Sequence, residues 1–224
     1  MLISYYKETE KVKSKEIIEK INLGKNVALV SDAGTPAISD PGEEIVKIAI
    51  KENIEVIPIP GACAMINALI ASGIKTNEFL FVGFLSTNKK NKNEKLNELK
   101  FQTQTLIFYE APHKILNTLN DMLKVFGNRN IVLAREITKI HEEFLRGKIS
   151  EILETLKEPK GEFVIIVEGN DKTREEILVE DLNNLSLEEH YAYYEKKGYE
   201  KKDIIKKIAK DKNVNKNEIY QYFI

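Results

Sequence analysis

The chain has 224 residues, of which 42% are hydrophobic and 31% charged, and its formal net charge of -1 excludes a protein that is strongly basic overall. Its single cysteine, Cys63, excludes a disulfide framework and a cysteine-rich zinc site, so a reducing compartment is expected. No apolar run approaches the length of a membrane span, and the N-terminus lacks the basic-then-apolar pattern of a signal peptide. These features predict a soluble cytoplasmic protein with no membrane partner.

The first two-thirds of the chain alternates apolar runs of β type with helical periodicity. The predicted strands are Leu2–Tyr6, Val27–Ser31, Ile54–Ile59, Phe79–Phe84, Thr105–Tyr109, Ile131–Ala134 and Phe163–Val167. The predicted helices are Ser14–Ile21, Glu43–Lys51, Ala62–Ala71, Asn93–Phe101, His113–Val125 and Ser150–Leu156. Runs such as "VALV" and "FVIIV" are apolar on both faces, so the pattern predicts an α/β fold with a largely parallel sheet covered by helices.

Two polar segments divide this pattern. Residues 86–100, "STNKKNKNEKLNELK", form either a linker between two α/β halves or a solvated loop, and "GNDKTREE" at 169–176 is predicted to be a linker. The predicted domains are 1–85 (first α/β domain), 86–100 (linker and helix start), 101–170 (second α/β domain) and 171–224 (C-terminal helical module). Gly198 as a C-cap, and Asn215 with Glu218 as a capping box, predict three short helices of helix-turn-helix type in that module.

The segment "VALVSDAGTPAISDPG" (residues 27–42) is a strand-type run that ends in two glycine–proline turns with Asp32 and Asp40. No lysine or arginine lies between Asn26 and Val46, and neither the P-loop nor the Rossmann glycine pattern is present. Such a loop is unsuited to phosphate and suits a cation or a neutral polar ligand. Ligands bind at the carboxyl ends of strands in open α/β sheets, but a purely structural turn explains the segment equally well.

Three further predicted strands end in comparable turns. In "VIPIPGACAMINAL" small residues open a helix, which suits either close approach of a ligand or a tight packing corner. "LIFYEAPHK" places Tyr109 and Glu110 at a strand end, and "VLAREITKIHEEFLRG" ends in Arg135 and Glu136. That last pair is either a local ion pair or an arginine placed to hold an anionic substrate. Several such strand ends in succession favour one shared cleft.

These segments, together with "GEFVIIVEG", resemble successive signatures of the tetrapyrrole methylase superfamily, and the similarity is collinear down to the C-terminal "KNEIYQYF". The resemblance implies an S-adenosylmethionine-dependent methyltransferase with two α/β domains, a cofactor cleft between them, a small C-terminal helical module and a homodimeric assembly. Within the superfamily the chain resembles the members that methylate the ribose 2′-hydroxyl of a cytidine in the decoding region of 16S rRNA, in the small ribosomal subunit. The resemblance also aligns residue 1 with the third strand of the family, after an initial strand, loop, helix and strand.

The resemblance also implies site residues. Those expected to contact the cofactor are Gly34, Thr35, Pro36, Ile38, Cys63, Ala64 and Tyr109. A ribose hydroxyl is a poor nucleophile while protonated, so a general base is expected. The candidates are Glu110 and Glu136, with Arg135 holding a neighbouring phosphate. No residue cluster suggests a metal site.

Affinity for RNA is expected to come from local basic patches, because the overall charge is near neutral. The candidates in the C-terminal module are Lys201, Lys202, Lys206 and Lys216, and the Lys89–Lys100 segment is a second candidate. A lysine-rich solvated surface is the alternative explanation. Two other functions remain open: methylation of a corrin or porphyrin precursor, and a non-catalytic nucleic-acid-binding protein.

Overall fold

A computed structural model describes residues 1–223, and internal contacts divide them into two compact units. Unit 1 comprises Met1–Asn97 and Thr105–Glu168, and unit 2 comprises Glu98–Gln104 and the chain from Gly169 onward. The division of unit 1 into domains 1–85 and 101–170 remains a prediction.

Unit 1 contains a five-stranded sheet with the order β1-β2-β5-β3-β4. Its strands are β1 (Phe79–Phe84), β2 (Thr105–Glu110), β3 (Asn130–Arg135), β4 (Glu143–Lys148) and β5 (Phe163–Val167). The α/β class is confirmed, but the expectation of a largely parallel sheet is wrong, because only β1 and β2 pair in parallel and the other three pairs are antiparallel. Residues 136–142 join β3 to β4, and a connection this short allows an antiparallel pair but no crossover helix.

The helices of unit 1 are α1 (Glu10–Asn22), α2 (Glu43–Lys51), α3 (Ala64–Ile70), α4 (Lys89–Leu99, which extends into unit 2), α5 (Ile115–Phe126) and α6 (Ile149–Thr155). On one face of the sheet, Ile107 and Val164 belong to a buried cluster with Ala68 and Leu69 of α3. The neighbouring Phe108 points to the other face and is also fully buried. Both faces of the central strands are therefore covered, as the "FVIIV" run of β5 predicted.

The predicted strands Leu2–Tyr6, Val27–Ser31 and Ile54–Ile59 are wrong for the part of the chain that the structure describes. These segments carry no strand assignment, because a strand needs a hydrogen-bonded neighbour and no sheet pairing includes them. In Leu2–Tyr6 the side chains nevertheless alternate as in a strand. Ile3 and Tyr5 pack on the cluster that α1 and α2 form around Ile17 and Ile45, whereas Leu2 is 94% exposed.

Unit 2 is helical, with α7 (Arg174–Asn183), α8 (Leu187–Lys196), α9 (Lys201–Asp211) and α10 (Lys216–Tyr222). Helix α7 begins inside the segment that was predicted to be a linker. Ile204, Ile205 and Ile208 lie on one face of α9 and are buried, as their spacing predicted. Gly198 has a φ of +83° just after the C-cap of α8, in the left-handed region that glycine tolerates best.

The cap of α10 differs in one bond from the prediction. Asn215 is the N-cap, but its side chain accepts a hydrogen bond from the N–H of Asn217. The backbone N–H of Glu218 donates to the Asn215 carbonyl, whereas a capping box would have the Glu218 side chain bond the Asn215 N–H. A capping box does form at α8, where Ser186 and Glu189 bond each other's backbone N–H groups.

Candidate active site

The loop after residue 30 contacts the loop that precedes α3. The Thr35 hydroxyl donates a 2.9 Å hydrogen bond to the carbonyl of Ala62. Gly34 has a φ of +76°, and a Cβ atom placed on it would lie 3.4 Å from the same carbonyl. The Ser31 hydroxyl lies within hydrogen-bonding distance of two carbonyls of its own loop, those of Ala33 and Gly34. Two of the loops predicted from sequence therefore meet, and the positive φ at Gly34 favours glycine there.

Tyr109, near the end of β2, contacts the start of α3. Its hydroxyl accepts a 3.2 Å hydrogen bond from the N–H of Met65 in the first turn of α3. The ring packs edge-on against Phe81 and Phe84 of β1, with centroid distances of 5.0 and 5.6 Å. Burial raises the pKa of the phenol, although the Met65 N–H partly opposes that shift, so the hydroxyl is protonated at neutral pH.

Three further groups lie close enough to Tyr109 to affect the pKa of its phenol. Cys63, Asp40 and Glu162 each raise the pKa of the phenol further by a charge interaction. The residues predicted to contact the cofactor thus fall in one region: Gly34 and Thr35 in the first loop, Cys63 and Ala64 at the start of α3, and Tyr109 on β2. Pro36 and Ile38 continue the first loop, and 38% of Ile38 is exposed.

Glu136 lies in a compact ionic cluster just beyond β3. Its carboxylate accepts a 2.8 Å bond from the N–H of Glu162 and a 3.1 Å bond from the ammonium of Lys139, which also bonds Glu162 at 2.9 Å. The Glu162 N–H and then Lys139 lower the pKa of Glu136. Gly161 leaves room for this side chain, since a Cβ atom there would lie 2.4 Å from the Glu136 Cγ. Glu136 is therefore ionised at neutral pH and is a weak base.

Sequence reasoning missed Lys139 and Glu162. They come from two segments that only folding brings together, and in the sequence each looks like an ordinary surface charge. A glycine directly before "EFV" was the available signal that a side chain approaches the backbone there.

Glu110 and Arg135 lie on the sheet face opposite to Tyr109. In the register, Phe163 pairs with Glu110 on one side and with Arg135 on the other, and directly paired residues share a face. Tyr109 precedes Glu110 and points the other way. Arg135 is ion-paired to Glu143 at 2.8 Å, and its Nε atom is buried without a hydrogen-bond partner among residues 1–223. The structure therefore does not group Glu110 and Arg135 with the loops around Tyr109.

Glu110 is 5% exposed, and internal bonds hold its carboxylate. One oxygen accepts the N–H of Ala111 at 2.9 Å, and the other accepts the hydroxyl of Thr118 at 2.7 Å. Because both carboxylate oxygens are bound internally, the burial of Glu110 limits access by a substrate.

The four lysines predicted to bind RNA are exposed on unit 2: Lys201, Lys202, Lys206 and Lys216. Lys201 donates a 2.9 Å bond to the carbonyl of Phe223, and Lys206 pairs with Asp203 at 3.2 Å. Near them Lys207 lies 4.4 Å from the ring centroid of Tyr199, a cation–π contact. Unit 2 thus carries both exposed positive charge and aromatic surface.

Two possible features are not found in residues 1–223. No group of three or more side chains that could hold a metal ion occurs there. In the same part of the chain, no helix combines the length and apolar character needed to cross a bilayer. A surface cavity of about 520 Å³ runs along α7 and includes none of the predicted site residues.

The fold is shared with two solved structures of low sequence identity. Diphthine synthase superposes with a TM-score of 0.56 at 14% identity, over 75% of this chain and 68% of that one. The methyltransferase CobJ superposes with a TM-score of 0.54 at 18% identity, over 71% of each chain. The chain is therefore an α/β protein with the architecture of these structures.

The sequence comparisons identify the family. The model of the Tetrapyrrole (Corrin/Porphyrin) Methylases matches residues 6–153. The chain belongs to the tetrapyrrole methylase family. It is 47% identical to the "Ribosomal RNA small subunit methyltransferase I" of Halalkalibacterium halodurans, in an alignment that covers 99% of this chain and 77% of that relative.

Proposed function

We propose that the protein is an S-adenosylmethionine-dependent methyltransferase that acts on the RNA of the small ribosomal subunit. The observation that carries this proposal is the 47% identity over nearly the whole chain to a relative of that name. The convergence of the motif-bearing loops at Thr35, Ala62 and Tyr109 supports it. The finer proposal, which the family resemblance implies, is methylation of the ribose 2′-hydroxyl of a cytidine in the decoding region of 16S rRNA, in the cytoplasm.

The residues around Tyr109 fit the cofactor. S-Adenosylmethionine carries a sulfonium and an ammonium group and no phosphate, which suits a loop with Asp32 and Asp40 and without lysine or arginine from Asn26 to Val46. Gly34 lacks a side chain where two backbones meet, and the residues opening α3 are small. The residues that would hold the cofactor are Gly34, Thr35, Pro36, Ile38, Cys63, Ala64 and Tyr109. When bound, it supplies an electrophilic methyl group attached to a good leaving group.

The protein groups then position the ribose hydroxyl and accept its proton. Glu136 is the first candidate base, because it is ionised and lies in a cluster with Glu162, which is near Tyr109. Its lowered pKa makes it a weak base, so most of the rate enhancement is assigned to positioning. Glu110 is the second candidate base, although its carboxylate is bound internally and it lies on the sheet face opposite to Tyr109. Arg135, which is paired with Glu143, is proposed to hold a neighbouring phosphate, as the family resemblance implies.

Unit 2 is proposed to bind RNA through Lys201, Lys202, Lys206 and Lys216. Exposed aromatic rings accompany these charges, since Tyr199, Tyr220 and Tyr222 are 42%, 49% and 53% exposed. Lysines that contact phosphates and rings that stack on bases are the usual combination for single-stranded nucleic acid. A homodimer, which the family resemblance implies, is proposed as the assembly, and light scattering would measure it.

Two measurements separate the possible functions. Calorimetric titration with S-adenosylmethionine distinguishes an enzyme from a non-catalytic binding protein. Transfer of a labelled methyl group to small ribosomal subunits that lack the modification, compared with transfer to corrin and porphyrin precursors, distinguishes the substrates. Transfer to the ribosomal particles alone supports the proposal. Transfer to a tetrapyrrole alone, or the absence of cofactor binding, would overturn it.

A further inference from the structure

A pocket of unit 1 has been assigned no ligand so far, although Glu110, the second candidate base, lies in its wall. It has a volume of about 160 Å³ and lies at the carboxyl ends of β1 and β2, on the sheet face opposite to Tyr109. Its polar lining comes from Ser86, Thr87, Lys92, Glu110, Lys114, Asn117 and Thr118. A pocket of this size suits one small polar group.

Two of its charged residues are already paired within the protein. Glu110 accepts hydrogen bonds from Ala111 and Thr118. Lys92 forms a 2.5 Å ion pair with Asp121, and these two side chains are only 15% and 18% exposed. Because their partners satisfy them, Glu110 and Lys92 are the fixed wall of the pocket.

Other residues at this pocket offer donors that remain available. Lys114 precedes α5 and forms no ion pair or side-chain hydrogen bond within residues 1–223. The Ser86 hydroxyl accepts a 3.2 Å bond from the N–H of Asn88, which leaves its own hydrogen free to donate. Thr87 is exposed and offers a second hydroxyl, and Lys89 adds an exposed positive charge two residues later. One unpaired ammonium and two hydroxyls around a small cavity match an anion with several acceptor oxygens.

We propose that this pocket binds one phosphate group of the RNA strand near the nucleotide that is methylated. Lys114 supplies the charge, and Ser86 and Thr87 donate hydrogen bonds to the remaining oxygens. This inference rests on the proposed function and deepens it. The pocket lies at the strand ends that follow Phe84 and Tyr109, so a strand bound there passes the same edge of the sheet as the proposed active site.

Two variants of the full chain test the pocket. Lys114→Gln removes the charge without loss of a helix cap, because Lys114 makes no side-chain cap bond. Ser86→Asp keeps an acceptor for the Asn88 N–H and adds a negative charge to the pocket. Lys124→Gln is the matched control, since Lys124 lies exposed in the last turn of the same helix and outside the pocket lining.

The readouts are KM for the small ribosomal subunit, kcat, the Kd for S-adenosylmethionine, and the salt dependence of binding to a labelled oligoribonucleotide of decoding-region sequence. For Lys114→Gln we expect a KM about tenfold higher, with kcat and the cofactor Kd unchanged. The slope of log K against log salt should become shallower by about 0.7, the value for one lost phosphate contact on single-stranded RNA. Ser86→Asp should raise KM further, and Lys124→Gln should match the unmodified protein.

An unchanged KM and salt slope in both pocket variants would overturn the proposal while leaving the methyltransferase assignment intact. Competition by inorganic phosphate tests the source of the anion. Displacement of RNA by phosphate from the unmodified protein, lost in Lys114→Gln, supports the site. If Lys114→Gln weakens the binding of phosphate but leaves RNA binding unchanged, the pocket is instead assigned to a small phosphorylated molecule. If no RNA is methylated at all, the proposed function fails, and the salt slope alone still decides whether the pocket binds RNA.

Discussion

Replacement of Thr35 by valine removes the hydrogen bond that joins the two loops of the proposed cofactor site. The Thr35 hydroxyl donates to the Ala62 carbonyl at 2.9 Å, and valine has nearly the same shape without the donor. A hydrogen bond of this kind contributes about 0.5–1.5 kcal/mol net. Because the bond is exposed to solvent, we expect the lower half of that range, equivalent to an increase in the cofactor Kd of about two- to fivefold.

The assay is calorimetric titration with S-adenosylmethionine, with thermal unfolding measured in parallel. Thr35→Ser is the control, because it retains the hydroxyl and should bind the cofactor as the unmodified protein does. The midpoint of unfolding should change little, since the bond lies at the surface. Equal cofactor affinity in Thr35→Val and the unmodified protein would show that these two loops do not act together in binding, and the reasoning would be refuted.

Three other predictions address different parts of the molecule. Gly161→Ala places a methyl group within 2.4 Å of the Glu136 Cγ, at a residue whose φ is +79°. The free energy of unfolding, measured by heat or urea, should therefore fall by about 1–2 kcal/mol, and methyl transfer should decrease. Full activity would exclude a role for the position of Glu136. Burial holds the pKa of His190 below its usual value, so the unfolded chain binds the proton more readily and unit 2 should lose stability as the pH falls below about 6.5. Urea unfolding followed by tyrosine fluorescence at pH 7 and pH 5 should show that loss, and His190→Asn should reduce it; an identical pH dependence in both proteins would contradict the assignment. Replacement of Lys201, Lys202, Lys206 and Lys216 by glutamine should reduce the salt dependence of RNA binding by about 0.7 in slope for each lost contact, whereas an unchanged slope would remove unit 2 from the RNA-binding surface.

Among the strands, the sequence predicted best those that pair with another strand of unit 1. The run "FVIIV" forms the central strand β5 and is buried throughout, because both of its neighbours are present in the same sheet. Leu2–Tyr6 and Val27–Ser31 have the same local character, yet they lie outside the ladder. Strand pairing is a property of two segments, and a single segment cannot specify it. Strand β4 was missed because "EFLRGK" is only partly buried and has no apolar run.

In the site, too, local features could be predicted from the sequence, whereas features that depend on the pairing of distant segments could not. The positive φ of Gly34 and the small residues before α3 could be expected from their sequence, because glycine and small side chains have a local meaning. The separation of Glu110 from Tyr109 depends on the alternation of side chains along β2, and the position of Arg135 depends on the register across β5. The bond between Lys139 and Glu162 joins residues 23 positions apart in sequence and required the fold.

The central claim is that this chain methylates the ribose of a nucleotide in small-subunit RNA. The most direct test is incubation with labelled S-adenosylmethionine and small ribosomal subunits that lack the modification, followed by digestion of the RNA to nucleosides and chromatography. We expect the label in 2′-O-methylcytidine from the decoding region, and a marked loss of label with Glu136→Gln while cofactor binding is retained. Label on a base, label in a different nucleotide, or no transfer by a preparation that binds the cofactor would contradict the account.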